Sequence, residues 1–258
     1  MVYFVGAGPG DKELITIKGQ KILAEADCII YAGSLVNPEL LEYAREGCLL
    51  KDSASMTLEE VIEIIEENEK NGHMTARLHT GDPAIYGAIK EQIDIIEEKG
   101  IEFKVIPGVS SFSGAAASMG VEYTLPGVSQ TVILTRLEGR TPVPEKEKMT
   151  ELAKIQASMA IFLSSGMLPE LSKQLIEGGY PKDTPAAIVY KATWPDEQIV
   201  ITTLEDLPEA GAKSDISRTA LILVGNFLGG EYERSMLYHP EFTHGYRQGS
   251  DSNAGSDS

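Results

Sequence analysis

Residues 1–119 alternate short apolar runs with amphipathic stretches, and this alternation constrains the fold more than any other feature of the chain. Apolar runs at 1–6, Cys28–Tyr31, Leu49-Leu50, Met74–His79 and Phe103–Ile106 are too short for buried helices and read as strands. Between them, 3.6-residue periodicity predicts helices over Thr16–Ala26, Thr57–Asn71 and Ala84–Glu98. A small-residue helix over Ser110–Met119 and a short one from Asn37-Pro38 to Ala44 complete the set. Thr57-Leu58-Glu59-Glu60 has the form of a capping box, and Asn71-Gly72 that of a helix stop. Strands that alternate with helices imply a parallel sheet covered on both faces.

The rhythm breaks at Thr124-Leu125-Pro126-Gly127, which places a domain boundary there. The second half mixes strands at Thr131–Thr135, Met159–Leu163, Ala186–Tyr190, Gln198–Thr203 and Ala220–Val224 with helices near 145–156 and 167–178. The strands at 186–190 and 198–203 are separated by only a short turn, so this second sheet is expected to be mixed. The expected organisation is α/β: an N-terminal domain over 1–125, a C-terminal domain over 126–238, and a polar, disordered tail over 239–258. No internal repeat is evident.

With 22 basic against 39 acidic residues the net charge is −17. Such a chain lacks the basic face that nucleic acid or an anionic membrane requires. No stretch approaches the roughly 18 apolar residues of a membrane span. The start, Met-Val-Tyr-Phe-Val, runs straight into glycines with no basic leader, which predicts a cytoplasmic protein. Cys28 and Cys48 form no CxxC pair and both read as buried, reduced thiols.

Four segments at strand ends can carry chemistry. Val5-Gly6-Ala7-Gly8-Pro9-Gly10-Asp11 resembles a dinucleotide loop but has GxGxG spacing. Its Pro9 also lacks an N–H for a pyrophosphate, and no acid closes the second strand, which ends Tyr31-Ala32-Gly33. Leu78-His79-Thr80-Gly81-Asp82-Pro83 follows a buried strand, where open α/β sheets bind ligands. There Asp82 can cap the next helix, with Pro83 at its tolerated first position. Pro107-Gly108-Val109-Ser110-Ser111 is again a strand-to-helix turn, without the GxSxG elbow of a hydrolase. Tyr190-Lys191-Ala192-Thr193-Trp194-Pro195 holds the single tryptophan, which fits either a core position or a ligand's ring. No His/Cys/Asp/Glu group has metal-ligand spacing, so no metal is expected.

Taken together and in order, these segments resemble the tetrapyrrole (uroporphyrin-III C/precorrin) methyltransferase family over roughly residues 2–226. The pattern comprises VGAGPGD, the GDP loop, PGVSS, a strand ending Leu163-Ser164-Ser165, YKATW, and Arg218-Thr219-Ala220-Leu221 with Ile222-Leu223. The versions LHTGDP and YKATWP are similar to the branch that methylates C-11 of precorrin-4 or cobalt-precorrin-4 in corrin-ring synthesis. Relatives usually carry a glycine where Thr80 stands, and Tyr-Met where this chain has Leu163-Ser164. The diphthine synthases share the scaffold but not the YKATW segment.

The resemblance implies two α/β domains with a cleft between them, a homodimer, and S-adenosylmethionine as methyl donor, leaving S-adenosylhomocysteine. It implies cofactor contacts at Pro9, Thr80, Gly81, Asp82, Ile85, Ser110, Ser111, Leu163, Ser164, Ala192, Thr219 and Ala220. The substrate would be a small-molecule tetrapyrrole. Methyl transfer from a sulfonium asks mainly for alignment, so no triad or metal is needed. If a base assists, His79, Tyr86 and Asp82 are the nearest by sequence. A tetrapyrrole rich in carboxylates is repelled by a net charge of −17, which calls for local basic groups. Lys51, Arg77, Arg136, Arg140 and Lys191 are the candidates. The competing readings are a dinucleotide oxidoreductase and a noncatalytic ligand-binding protein.

Overall fold

The computed structural model describes residues 1–249. In chain order the first part contains β1 (Val2–Gly6), α1 (Ile17–Glu25), β2 (Cys28–Tyr31), β3 (Leu49–Asp52), α2 (Leu58–Lys70), β4 (Thr75–His79), α3 (Ile89–Glu98), β5 (Phe103–Ile106) and α4 (Ser111–Met119). The second part contains β6 (Val132–Arg136), α5 (Met149–Ala153), β7 (Ser158–Phe162), α6 (Leu168–Glu177), β8 (Pro185–Tyr190), β9 (Gln198–Thr203), α7 (Leu207–Ser214) and β10 (Ala220–Val224).

The first sheet has the order β3-β2-β4-β1-β5 and is parallel throughout. The chain steps from β1 to β2 to β3 in one direction, then returns to place β4 and finally β5. Right-handed crossovers send the helices of the two legs to opposite faces. Accordingly Val5, Ile29 and Leu78 pack with Ile22 and Leu23 of α1 and with Leu40. On the other face Phe4 and Ile30 pack with Ile62 and Ile65 of α2 and Ile96 of α3. The direction reverses around β1 and β4, whose last residues, Gly6 and His79, lie side by side. That is where an open sheet of this kind offers a crevice to a ligand.

The second sheet has the order β6-β7-β10-β8-β9. It is mixed: β6 and β7 run parallel, whereas β7 and β10 run antiparallel. As expected, β8 and β9 are neighbours. The chain divides into two compact units that are not consecutive in sequence. The first joins Met1–Met119 to Val189–Ile199 and Thr219–Leu221; the second holds Gly120–Ile188, Val200–Arg218 and the residues from Ile222 onward.

Most local expectations hold in detail. The Thr57 hydroxyl accepts from Glu60 N, and the Glu60 carboxylate accepts from Thr57 N, closing the capping box. The helix expected over 84–98 begins only at Ile89, because Tyr86 and Ala88 turn left-handed, with φ of 55° and 48°. Pro38–Tyr43 is a 3₁₀ helix whose end is capped by the Asn37 side chain. Helix α7, entered through Pro208, was not foreseen: eight residues carry too little periodicity to register. Cys28 is buried as expected, but Cys48 is only half-buried. Of the stretch 239–258, residues up to 249 are described; the Arg247 guanidinium there donates to Leu237 O and His239 O. Residues 250–258 lie outside the described residues. No helix among the described residues is long and apolar enough to cross a membrane.

Candidate functional site

The loops that leave β1, β4 and β5 meet backbone to backbone. Gly8 and Gly81 form a two-way bridge, Gly81 N to Gly8 O at 2.9 Å and Gly8 N to Gly81 O at 3.3 Å. Gly6 and Gly108 touch so closely that a Cβ on Gly6 would lie 2.5 Å from Gly108 Cα. A Cβ on Gly108 would lie 2.1 Å from Gly81 O. Asp82 ties two of these loops. Its Oδ1 accepts from Ala84 N at 2.8 Å, closing a turn and not capping a helix as expected, because α3 starts only at Ile89, and its Oδ2 accepts from Gly108 N at 3.0 Å. The result is a rigid, backbone-lined rim that bears Pro9, Thr80, Gly81, Ile85, Ser110 and Ser111. Ser110 O accepts from Ser113 N and Gly114 N and so starts α4.

The loop after β8 belongs to the same unit and docks on the first glycine loop. Trp194 Nε1 donates to Pro9 O at 2.9 Å, and Asp11 N donates to Thr193 Oγ1 at 3.0 Å. Lys191 N donates to Thr219 O at 3.0 Å, which brings Ala192, Thr219 and Ala220 to one place. Lys191, Thr193 and Thr219 all sit in the left-handed region, with φ of 47°, 69° and 57°. For a β-branched residue this is a genuine outlier, costing of order 1–3 kcal/mol, and such strain concentrates at functional sites. Tyr86, 47% exposed, is left-handed as well. In the second unit Leu163, with φ 54° and 69% exposure, has the same strain. Its neighbour Ser164 is buried, its hydroxyl donating to Phe162 O and accepting from Leu137 N.

His79 is 5% exposed, lies against the Phe4 ring at 5.9 Å, and its Nε2 meets no hydrogen-bond partner. Burial, with the Arg77 guanidinium near it, pulls its pKa down to about 3. The imidazole is therefore neutral at physiological pH and far too weak a base to work there. A histidine held neutral in the fold stabilises it fully above pH 6.5 and loses that contribution as pH falls toward 3. Between pH 6 and 4 the urea midpoint of the wild type is expected to fall more steeply than that of His79→Gln. The difference should approach about 1.4 kcal/mol per pH unit, and parallel curves would contradict it.

Arg77, expected among the groups facing substrate, is buried instead. Its Nε donates to Gln92 Oε1 and its Nη1 to Ile30 O, both at 3.2 Å, and burial lowers its pKa to about 10. Alternation along β4 put it there, since Arg77 and His79 share the face that α2 and α3 cover. Lys191 is held by Asp196 at 2.6 Å and lies 5.4 Å from the Tyr190 ring and 5.1 Å from the Trp194 ring. Arg136 donates to Thr141 O and Pro142 O, Lys51 is half-buried on β3, and Arg140 is exposed. Among the described residues no group of three His, Cys, Asp or Glu is placed to hold a metal ion.

Three residues play roles at the site that escaped the sequence reading. Asn37 Nδ2 donates to Gly10 O at 2.9 Å. Glu197 accepts from Thr193 N at 2.6 Å and from Ser118 Oγ at 2.5 Å. Gly108 gives the clearance described above. Only Gly108 carried a signal, standing in the Pro107–Ser111 turn already singled out, but its contact with Gly6 and Gly81 did not.

The tetrapyrrole (corrin/porphyrin) methylase profile matches residues 1–208. A cobalt-precorrin-4 C(11)-methyltransferase of Methanocaldococcus jannaschii is 56% identical over 248 residues, 96% of each chain. The solved structure of a cobalt precorrin-4 methyltransferase superposes with a TM-score of 0.87 and 47% identity, covering 89% of this chain and 96% of that one. A uroporphyrin-III C-methyltransferase from Thermus thermophilus, complexed with S-adenosyl homocysteine, has a TM-score of 0.74 and 25% identity, covering 88% of this chain and 92% of that one.

Proposed function

The chain belongs to the tetrapyrrole (corrin/porphyrin) methylases, and from that membership we propose that it transfers a methyl group from S-adenosylmethionine to C-11 of precorrin-4 in corrin-ring synthesis. The observation that carries this reading is the 56% identity to a C-11 enzyme over 96% of both chains. That relative acts on the cobalt form, so cobalt-precorrin-4 is the preferred substrate of this reading.

The residues fit the cofactor. The rim is built of backbone and small groups: a Cβ on Gly6 or Gly108 would strike the backbone of the neighbouring loop, and Gly81 takes a left-handed φ of 61°. When bound, S-adenosylmethionine supplies an electrophilic methyl on sulfur. Pro9, Thr80, Gly81, Ile85, Ser110, Ser111, Ala192, Thr219 and Ala220, all in the first unit, would hold it. Asp82 keeps the loops fixed from behind, as its two oxygens already accept backbone N–H groups. Alignment of this kind can supply roughly 7–11 kcal/mol of a barrier. Tyr86, the exposed one of the three candidate bases and left-handed at φ 55°, is the side chain we assign to any proton transfer. Lys51, Arg136 and Arg140, none of which pairs with a carboxylate among the described residues, are the groups we assign to substrate carboxylates. We infer from the family a homodimer, whose mass light scattering would read directly, and a cytoplasmic location.

Calorimetry tests the cofactor assignment. S-adenosylhomocysteine is expected to bind with a micromolar or tighter Kd, and NAD to show no heat. NAD binding in preference would restore the oxidoreductase reading.

A further inference from the structure

Gly10 poses a question that conformation does not answer, because its φ lies outside the left-handed region. Space does answer it. A Cβ at Gly10 would fall 2.0 Å from Trp194 Cδ1, 2.5 Å from Trp194 Nε1 and 2.8 Å from Ala192 O. The glycine makes room for an indole that comes from 184 positions along the chain.

That indole is half-buried and does not belong to the hydrophobic core of the first unit. Its one polar atom is spent on Pro9 O. Pro9 in turn leaves room only for a glycine on α4, since a Cβ on Gly114 would meet Pro9 Cβ at 2.7 Å. On its other side the Gly10 carbonyl is held by Asn37. Next to the indole stand the strained Lys191 and Thr193, kept in place by Thr219 O, Glu197 and the Asp11 amide.

We propose that Trp194 is a positioning residue: it latches the loop after β8 onto the loop after β1, and so holds Pro9 and Ala192 in register for the cofactor. The assignment rests on the methyltransferase reading, which makes Pro9 and Ala192 cofactor contacts. The indole itself touches backbone and need not touch the ligand. Its loss therefore weakens cofactor capture while leaving the chemical step largely intact once the site is filled.

Trp194→Phe keeps an aromatic ring and removes the N–H. Its affinity for S-adenosylhomocysteine, by calorimetry, is expected to fall about tenfold, with KM for S-adenosylmethionine rising in parallel and kcat at saturation within about threefold of wild type. The ligand-free melting temperature should stay within a few degrees, because the side chain is not core. Gly10→Ala should lose affinity by pushing the indole away. Trp194→Ala in that background should then cost little more, so the two effects should not add. As the single tryptophan, Trp194 should also change its emission when S-adenosylhomocysteine binds. Wild-type affinity in Trp194→Phe, or additive losses in the double variant, would overturn the latch. Failure of the wild type to bind S-adenosylhomocysteine would overturn the methyltransferase reading instead.

Discussion

Gly108→Ala is expected to lower kcat/KM by at least a hundredfold, chiefly through loss of cofactor binding. The added Cβ would lie 2.1 Å from Gly81 O and 2.8 Å from Gly6 Cα, with Gly6 C at 3.0 Å. All three are backbone atoms, so no rotamer change relieves the clash. The strands behind them are pinned in register, Gly6 beside His79 and Val5 beside Ile106. What can move is the pair of loops, and moving them separates Gly81 from Ser110 and Ser111. Overpacking a tight site costs typically 1–3 kcal/mol, which for a chain of this size is a melting shift of roughly 2–12 °C. Calorimetric titration with S-adenosylhomocysteine, with a thermal melt alongside, measures both. A Gly108→Ala protein with wild-type affinity would show that the contact of the three loops does not shape the site.

Asp82→Ala should show the second-largest effect, and Asp82→Asn tells why. The alanine variant strands Gly108 N and Ala84 N. A lost hydrogen bond to a charged group, or a donor left unsatisfied, costs about 1–3 kcal/mol. The two together correspond to at least a hundredfold loss of cofactor affinity. The asparagine keeps one acceptor oxygen and should lose only about tenfold. If Asp82 were the base that moves a proton, Asn would be as inactive as Ala, with kcat collapsed and affinity untouched. Steady-state kinetics of both variants beside their binding curves separates the two outcomes.

Much of this architecture was legible in the residues because local rules and global fold agree. The capping box at Thr57, the short strands of the parallel sheet and the glycine-bearing turns at their ends are each written in neighbouring positions. What escaped depends on partners distant in sequence. Nothing near Arg77 announces that Gln92 and Ile30 O will hold its guanidinium inside. Nothing near Gly10 announces Trp194. The late start of α3 is local by contrast: Gly87 packs against Pro83, four residues earlier, where a Cβ would lie 2.2 Å from Pro83 O. The turn this creates forces Tyr86 and Ala88 left-handed against helix propensity. His79 was legible as a position but not as a chemistry, since its neutrality comes from burial and from Arg77.

The most direct measurement supplies the protein with S-adenosylmethionine carrying a ¹³C methyl group, together with cobalt-precorrin-4 or its metal-free counterpart. The expected product is heavier by one labelled methyl group, with a new methyl carbon attached at C-11 in the NMR spectrum and the cobalt form turned over faster. No gain in mass with either macrocycle, or a labelled methyl at another ring carbon, would contradict the assignment.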